Sequence, residues 1–203
     1  MTRKRANKKI ENRGALKKFN SKYGLVLLAI LIITAGALIL ALTSHETPTG
    51  QPQSGKWLFA LDTNTVRVGN YEEYRTGYIP TLVVVDVNGD IIHKEAGVHT
   101  ESQLLDLIEE AQNPTHTLGP APDFTLKTFN GETFTLSEHR GKVVILDFMA
   151  VRCPPCHQQM PELHKVKLDK GDDVIILSID VDAAYGSETE QDVREAFGEY
   201  IEE

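Results

Sequence analysis

Cysteine is scarce in this chain. Two occur in 203 residues, and both lie in the single stretch Cys153-Pro154-Pro155-Cys156-His157. A scaffold stapled by several disulfides is therefore excluded, and two cysteines three apart close too short a loop to restrain an unfolded chain usefully. A self-contained structural zinc site is also short of ligands, because it needs two more nitrogen or sulfur donors. His139 and His164 are available, but nothing in the spacing gathers them. Three chemical uses stay open for the stretch: a dithiol that cycles to a disulfide, a C-x-x-C-H haem attachment, or half of a metal site.

Positive charge is also scarce, except at one end. Residues 1–22 hold nine Lys/Arg and one acid, a net of +8, against −8 for the whole chain. The other 181 residues thus carry −16, which argues against a nucleic-acid partner, since phosphate binding needs a basic face. Between the two zones, Tyr23 to Leu42 (YGLVLLAILIITAGALILAL) has no charge at all. Twenty helical residues rise roughly 30 Å, the thickness of a hydrocarbon core. A cleaved leader would have a shorter apolar core and a small-residue cleavage site, for which Ala41-Leu42-Thr43 is a poor match. The expectation is an uncleaved single-pass anchor in the plasma membrane. Residues 1–22 form a cytoplasmic tail against the lipid, 23–42 the transmembrane helix, and the remainder lies outside. An outside location permits disulfides.

Residues 43–55 (TSHETPTGQPQSG) read as a flexible linker. Asn113 to Pro120 (NPTHTLGP) divides the rest into 56–112 and 121–203. The later half predicts a hairpin about Asn130-Gly131, a buried strand at Val143–Met149, and a helix with Met160, Leu163 and Val166 inward. A second buried strand follows at Val174–Ile179, then a helix opened by a Ser187-x-x-Glu190 capping box. The earlier half predicts a hairpin about Asn88-Gly89 and a helix opened by Thr100-x-x-Gln103. Neither half is expected to be stable alone, since bare sheet edges and a core of about 57 residues are marginal.

Ala121 to Glu162 (APDFTLKTFNGETFTLSEHRGKVVILDFMAVRCPPCHQQMPE) resembles the first half of a TlpA-type thioredoxin-like domain, a family of membrane-anchored thiol–disulfide oxidoreductases. Trp57 to Gln112, with Tyr78-Ile79-Pro80-Thr81 and the VNGD hairpin, resembles the second half. The order is reversed relative to the family. The resemblance therefore implies a circularly permuted α/β thioredoxin-like three-layer domain over 56–203, its old ends bridged within residues 113–122. A domain-swapped pair is the rival arrangement.

Against that background the open readings separate. Haem attachment would need His157 and a second axial ligand, for which Met160 is too near, and CPPCH ends what reads as a buried strand. A peroxiredoxin-type peroxidase shares the APDFTL-like opening, but that family has Thr where this chain has Ala150. The resemblance implies that Cys153 is the nucleophile, Cys156 the resolving thiol, and Asp147 the carboxyl that takes the proton from Cys156. Pro80 is implied to be a cis-proline beside the cysteines. Ile79 and Thr81 flank it on the substrate side, and Pro154 and Pro155 stiffen the redox loop. Arg152 and Met149 stand where many relatives have tryptophan. A charge at Arg152 is expected to lower the Cys153 pKa and to change the docking surface.

The resulting expectation is an outward-facing disulfide reductase acting on protein thiols and disulfides. It would use no bound cofactor or metal beyond its own dithiol and would be fed by a membrane electron donor. Its alternative is a thiol module that captures copper or an apocytochrome.

Overall fold

A computed structural model describes residues 55–202. The expected tail, the membrane helix and all but the last residue of the linker lie outside the described residues. Among the described residues no helix is long and apolar enough to cross a membrane.

The strands are β1 (Leu58–Leu61), β2 (Thr81–Val85), β3 (Asp90–Ala96), β4 (Gly119–Pro120), β5 (Thr125–Lys127), β6 (Thr133–Thr135), β7 (Val143–Met149) and β8 (Val174–Asp180). The helices are α1 (Glu101–Gln112), α2 (Pro154–Lys170) and α3 (Glu190–Phe197). Six strands form one sheet in the order β1-β8-β7-β2-β3-β4, while β5 and β6 pair separately. All seven residues of β7 and all five of β2 are buried. Their apolar runs read as strands because both faces of the sheet are covered. β7 and β8 are parallel and joined through α2, whereas β2 pairs antiparallel with β7. β1 is four residues long, too short to betray itself by periodicity.

The sheet separates two cores. On one side Ile145 and Met149 of β7 meet Leu104 and Ile108 of α1, Cys156, Met160 and Leu163 of α2, and Val193 and Phe197 of α3. On the other, Val144, Leu146 and Phe148 meet Tyr74, Phe124, Leu126 and Phe134. The three layers are thus helices, sheet, and a cover built from the β5–β6 hairpin and irregular chain. Each fully buried aliphatic or aromatic side chain contributes about 1.5–3 kcal/mol.

Both Asn-Gly turns form, with Gly89 at φ 90° and Gly131 at φ 89°. Thr100 and Gln103 make the expected capping box. The third helix is capped otherwise than expected: Thr189 and Asp192 form the box, two residues beyond Ser187 and Glu190. The reason is that Glu188 turns inward and is buried.

Strands from both halves interleave in the sheet, since β2 and β3 come from the earlier half and β7 and β8 from the later. The two ends of the described chain also lie side by side. The Trp57 N–H donates to the Tyr200 carbonyl at 2.9 Å, and the Glu202 N–H donates to the Trp57 carbonyl at 2.9 Å.

Candidate active site

Cys153 and Cys156 form a disulfide, with Cα atoms 5.2 Å apart. Cys153 is the N-cap of α2, and Pro154 begins the helix, where its missing N–H costs little. The Cys156 N–H donates to Cys153 Sγ at 3.2 Å. A reduced Cys153 would hold its negative charge at a helix N-terminus with a backbone donor on the sulfur, conditions that lower a thiol pKa. Cys153 is 7% exposed and Cys156 is fully buried, so a partner reaches Cys153 first. Pro154 is exposed and Pro155 half-buried on the rim of this loop.

The Ile79–Pro80 peptide is cis. Pro80 is buried and immediately precedes β2, where Thr81 pairs with Phe148, so it stands opposite the end of the strand that leads to the cysteines. Ile79 is half-buried. Thr81 is buried, and its hydroxyl bonds the Tyr78 carbonyl, closing the loop on itself. A cleft of about 240 Å³ opens beside Ile79 and Thr81. Exposed Tyr78 and Tyr185 stand on its walls. Arg67 lies over the Tyr185 ring and Asn70 bonds its hydroxyl at 3.2 Å, which holds that ring in place.

Asp147 is completely buried in β7. Strand alternation puts it on the helix side of the sheet with Ile145 and Met149, the side that also buries Cys156. The Ser178 hydroxyl donates to Asp147 Oδ2 at 2.8 Å, and the Trp57 indole N–H donates to Ser178 Oγ at 3.0 Å. Asp147 Oδ1 has no hydrogen-bond partner. Burial pushes the carboxyl up to about 7, and the Ser178 bond only partly offsets that. Asp147 is therefore poised to exchange a proton near neutrality. Lys142, one residue before β7, does not reach Asp147; its Nζ donates to the Asp172 carbonyl at 2.9 Å.

A second buried carboxyl group lies beside the loop, and sequence reading missed its partner. Glu188 accepts the Val151 N–H at 2.7 Å and the Arg152 N–H at 3.2 Å, tying down the two residues before Cys153. Asp180, across from Met149 in the β7–β8 register, is raised chiefly by burial, with neighbouring Glu188 adding to the shift; its Oδ1 accepts the Ala183 N–H at 3.0 Å, while its Oδ2 has no hydrogen-bond partner among the described residues. The only sequence signal was an acid just outside a helix start, which normally reads as capping. Arg152 itself is exposed, and its charge helps hold Asp192 below the usual carboxylate range, after the Thr189 hydrogen bonds. His157 Nε2 bonds the Val151 carbonyl at 2.8 Å, so it serves the loop and is not a free ligand.

A disulfide capping a helix, a cis-proline just before the strand that pairs with β7 and a buried carboxyl on the same face of a mixed sheet are features of a thioredoxin-like fold carrying a redox-capable cysteine pair. Known proteins show similarities in the same direction. Residues 119–201 match the Redoxin family model. Thioredoxin-like protein YneN of Bacillus subtilis is 40% identical over 68 residues, 34% of this chain and 40% of that protein. Thiol-disulfide oxidoreductase ResA of Geobacillus kaustophilus is 39% identical over 62 residues, 29% of this chain and 36% of that one. DnaJ homolog subfamily C member 10 of Homo sapiens is 34% identical over 108 residues, 53% of this chain and 12% of that protein. The chain spans two fifths or less of the length of these relatives. No solved structure matches it significantly.

Proposed function

We propose that this protein is a membrane-anchored, extracytoplasmic thiol–disulfide oxidoreductase that reduces disulfides in protein partners. The observation that carries the reading is the Cys153–Cys156 disulfide at the start of α2, with Cys153 slightly exposed and Cys156 fully buried. In the working direction the Cys153 thiolate attacks one sulfur of a partner's disulfide, forming a mixed disulfide and releasing the partner's other sulfur as a thiolate. Cys156 then loses its proton to Asp147, and its thiolate attacks Cys153 Sγ. The bond to the partner breaks, the partner leaves with both sulfurs reduced, and the protein is left oxidised. A membrane donor then supplies two electrons to restore the dithiol. Ile79 and the cleft beside it would receive the partner's chain, with Tyr78 and Tyr185 offering aromatic contact in place of the tryptophans that Arg152 and Met149 replace.

The location rests on the charge-free run at 23–42 and its basic flank. Retention of the full chain in the membrane pellet after alkaline extraction tests it, and release to the supernatant would refute it. The order of the halves is read as a circular permutation within one chain. The interleaved sheet and the backbone bonds between Trp57 and residues 200–202 support that reading. A reordered chain, with Glu203 joined to Lys56 and opened within 113–118, should keep the same dithiol chemistry.

The deciding experiment is a redox titration of the full chain, following Cys153 and Cys156 by thiol alkylation. A single two-electron transition near about −270 mV is expected for a reductant, whereas a midpoint near about −120 mV would make the protein an oxidant. Cys156→Ser should accumulate a mixed disulfide with partner proteins. If the two thiols never titrate as a pair, the exchange reading fails.

A further inference from the structure

Outside the dithiol, one cluster of side chains is arranged for ligation. His93 and Glu95 are alternate residues of β3, so they share a face, and His99 lies just beyond the end of the strand. The two imidazoles meet edge-on, their planes at 89°, with Nε2 atoms 3.1 Å apart. Glu95 Oε2 is 3.8 Å from each. Two nitrogens on a tetrahedral zinc ion, at a bond length of about 2.05 Å, are separated by about 3.3 Å. The observed spacing is close to that, and the largely exposed Glu95 side chain is free to close the remaining few tenths of an ångström.

The second shell is also built. His99 Nδ1 bonds the Gly97 carbonyl at 3.1 Å. A carbonyl only accepts, so Nδ1 carries the hydrogen, and Nε2 of the neutral ring points its lone pair at the cluster. The His99 backbone is clamped from both sides by Gln159: its N–H donates to Oε1 at 2.7 Å, and its carbonyl accepts from Nε2 at 3.1 Å. Gln159 lies on α2, three residues after Cys156. The Gly97 N–H in turn donates to the Pro80 carbonyl at 2.9 Å. The turn carrying His99 is therefore held between the cis-proline and the cysteine-bearing helix. Among the described residues the other histidines are engaged elsewhere. His116, for example, is held by Glu110 at 2.8 Å and the Ile92 carbonyl at 3.2 Å.

We propose that His93, Glu95 and His99 bind one divalent transition-metal ion of the zinc or copper class, with water completing the coordination. Two imidazoles and a carboxylate suit these ions better than calcium or magnesium, which prefer all-oxygen shells. The site uses neither cysteine, so it is occupied equally well with the disulfide formed. It does not depend on the exchange reading. The bland alternative is a His93–His99 hydrogen bond and nothing more.

The test uses the full chain in detergent with its disulfide formed, so that no thiolate competes. Zn²⁺ and Cu²⁺ are titrated separately by calorimetry. One ion per chain is expected, for at least one metal. His93→Ala should weaken that binding by at least about tenfold, Glu95→Gln by a smaller factor, and His116→Ala not at all. Should His93→Ala prove poorly folded, Cu²⁺ electron paramagnetic resonance on the unaltered chain decides, since two equivalent imidazole nitrogens are expected in the signal. No uptake of either metal at about 100 μM, uptake unchanged in both His93→Ala and Glu95→Gln, or a copper signal without two imidazoles would overturn the proposal.

Discussion

The floor beneath the dithiol and the rim before it each contain a buried aspartate on adjacent strands, and they use it differently. On the floor, Asp147 meets one hydroxyl and leaves one oxygen without a partner. On the rim, Asp180 also leaves one oxygen without a partner, but its other oxygen accepts the Ala183 N–H, and it neighbours Glu188, whose oxygens are taken up by two backbone N–H groups. Both aspartates are pushed up chiefly by burial. The difference lies in the neighbours. Asp147 has a single hydroxyl for a neighbour, whereas Asp180 has beside it a carboxyl group that is itself engaged in holding the loop. Burial alone does not announce a catalytic acid, and the partners decide.

The comparison breaks most visibly at Asp147. Its shift from 3.8 to about 7 corresponds to about 4 kcal/mol. The sign follows from proton binding. Below about pH 4 both folded and unfolded chains hold the proton. Between about pH 4 and 7 the unfolded chain releases it first, so stability falls as pH rises, and above pH 7 the loss is complete. Asp147→Asn removes this penalty. Its stability advantage in urea denaturation should grow from pH 4 to 7 and level off above, approaching about 2–4 kcal/mol. The same variant should slow resolution of the mixed disulfide. An advantage independent of pH would mean that Asp147 is not the titrating group.

Glu188 should behave in the opposite way. Glu188→Ala strands the N–H groups of Val151 and Arg152, and it should destabilise the fold by about 1–3 kcal/mol. Amide exchange at Val151 and Arg152 should quicken, while the proton step at Asp147 is unchanged. If exchange at those two amides stays slow, the rim is held by something else.

The smallest effect is expected at Trp57. Its indole N–H polarises Ser178, which in turn favours the ionised Asp147. Trp57→Phe keeps most of the packing and removes that donor, at a cost of about 1 kcal/mol. The Asp147 titration, followed by carboxyl infrared absorption, should move further upward. A downward move would show that the Trp57–Ser178 chain does not support the carboxylate.

Much of the site was legible because its signals are local. Cys153, Cys156 and the N-cap role of Cys153 follow from CPPC at the end of an apolar strand. The Asn-Gly turns and the α1 cap are likewise written in adjacent residues. Asp147 was visible as a charge inside VVILDFM. Its partner was not, because Ser178 lies on another strand and Trp57 is 121 residues further away in sequence from Ser178. The cap of α3 was misplaced by two residues, since local propensity favoured Ser187-x-x-Glu190 and only the loop's demand for acceptors turned Glu188 inward. The pattern His93-x-Glu95-x₃-His99 carried a signal that was passed over, alternation along a strand followed by a return at the turn.

By itself the sequence determined the redox pair, the buried strand that delivers it, the charge division along the chain and the turn chemistry, since each depends on neighbours within a few residues. Tertiary structure alone decided which carboxyl groups lie near one another and which two histidines meet. It also decided that both halves complete one sheet, with Trp57 bonded to the residues on either side of Ile201. Hydrogen bonds and burial across a sheet depend on distance in space, and distance in space is not encoded at any fixed spacing along the chain.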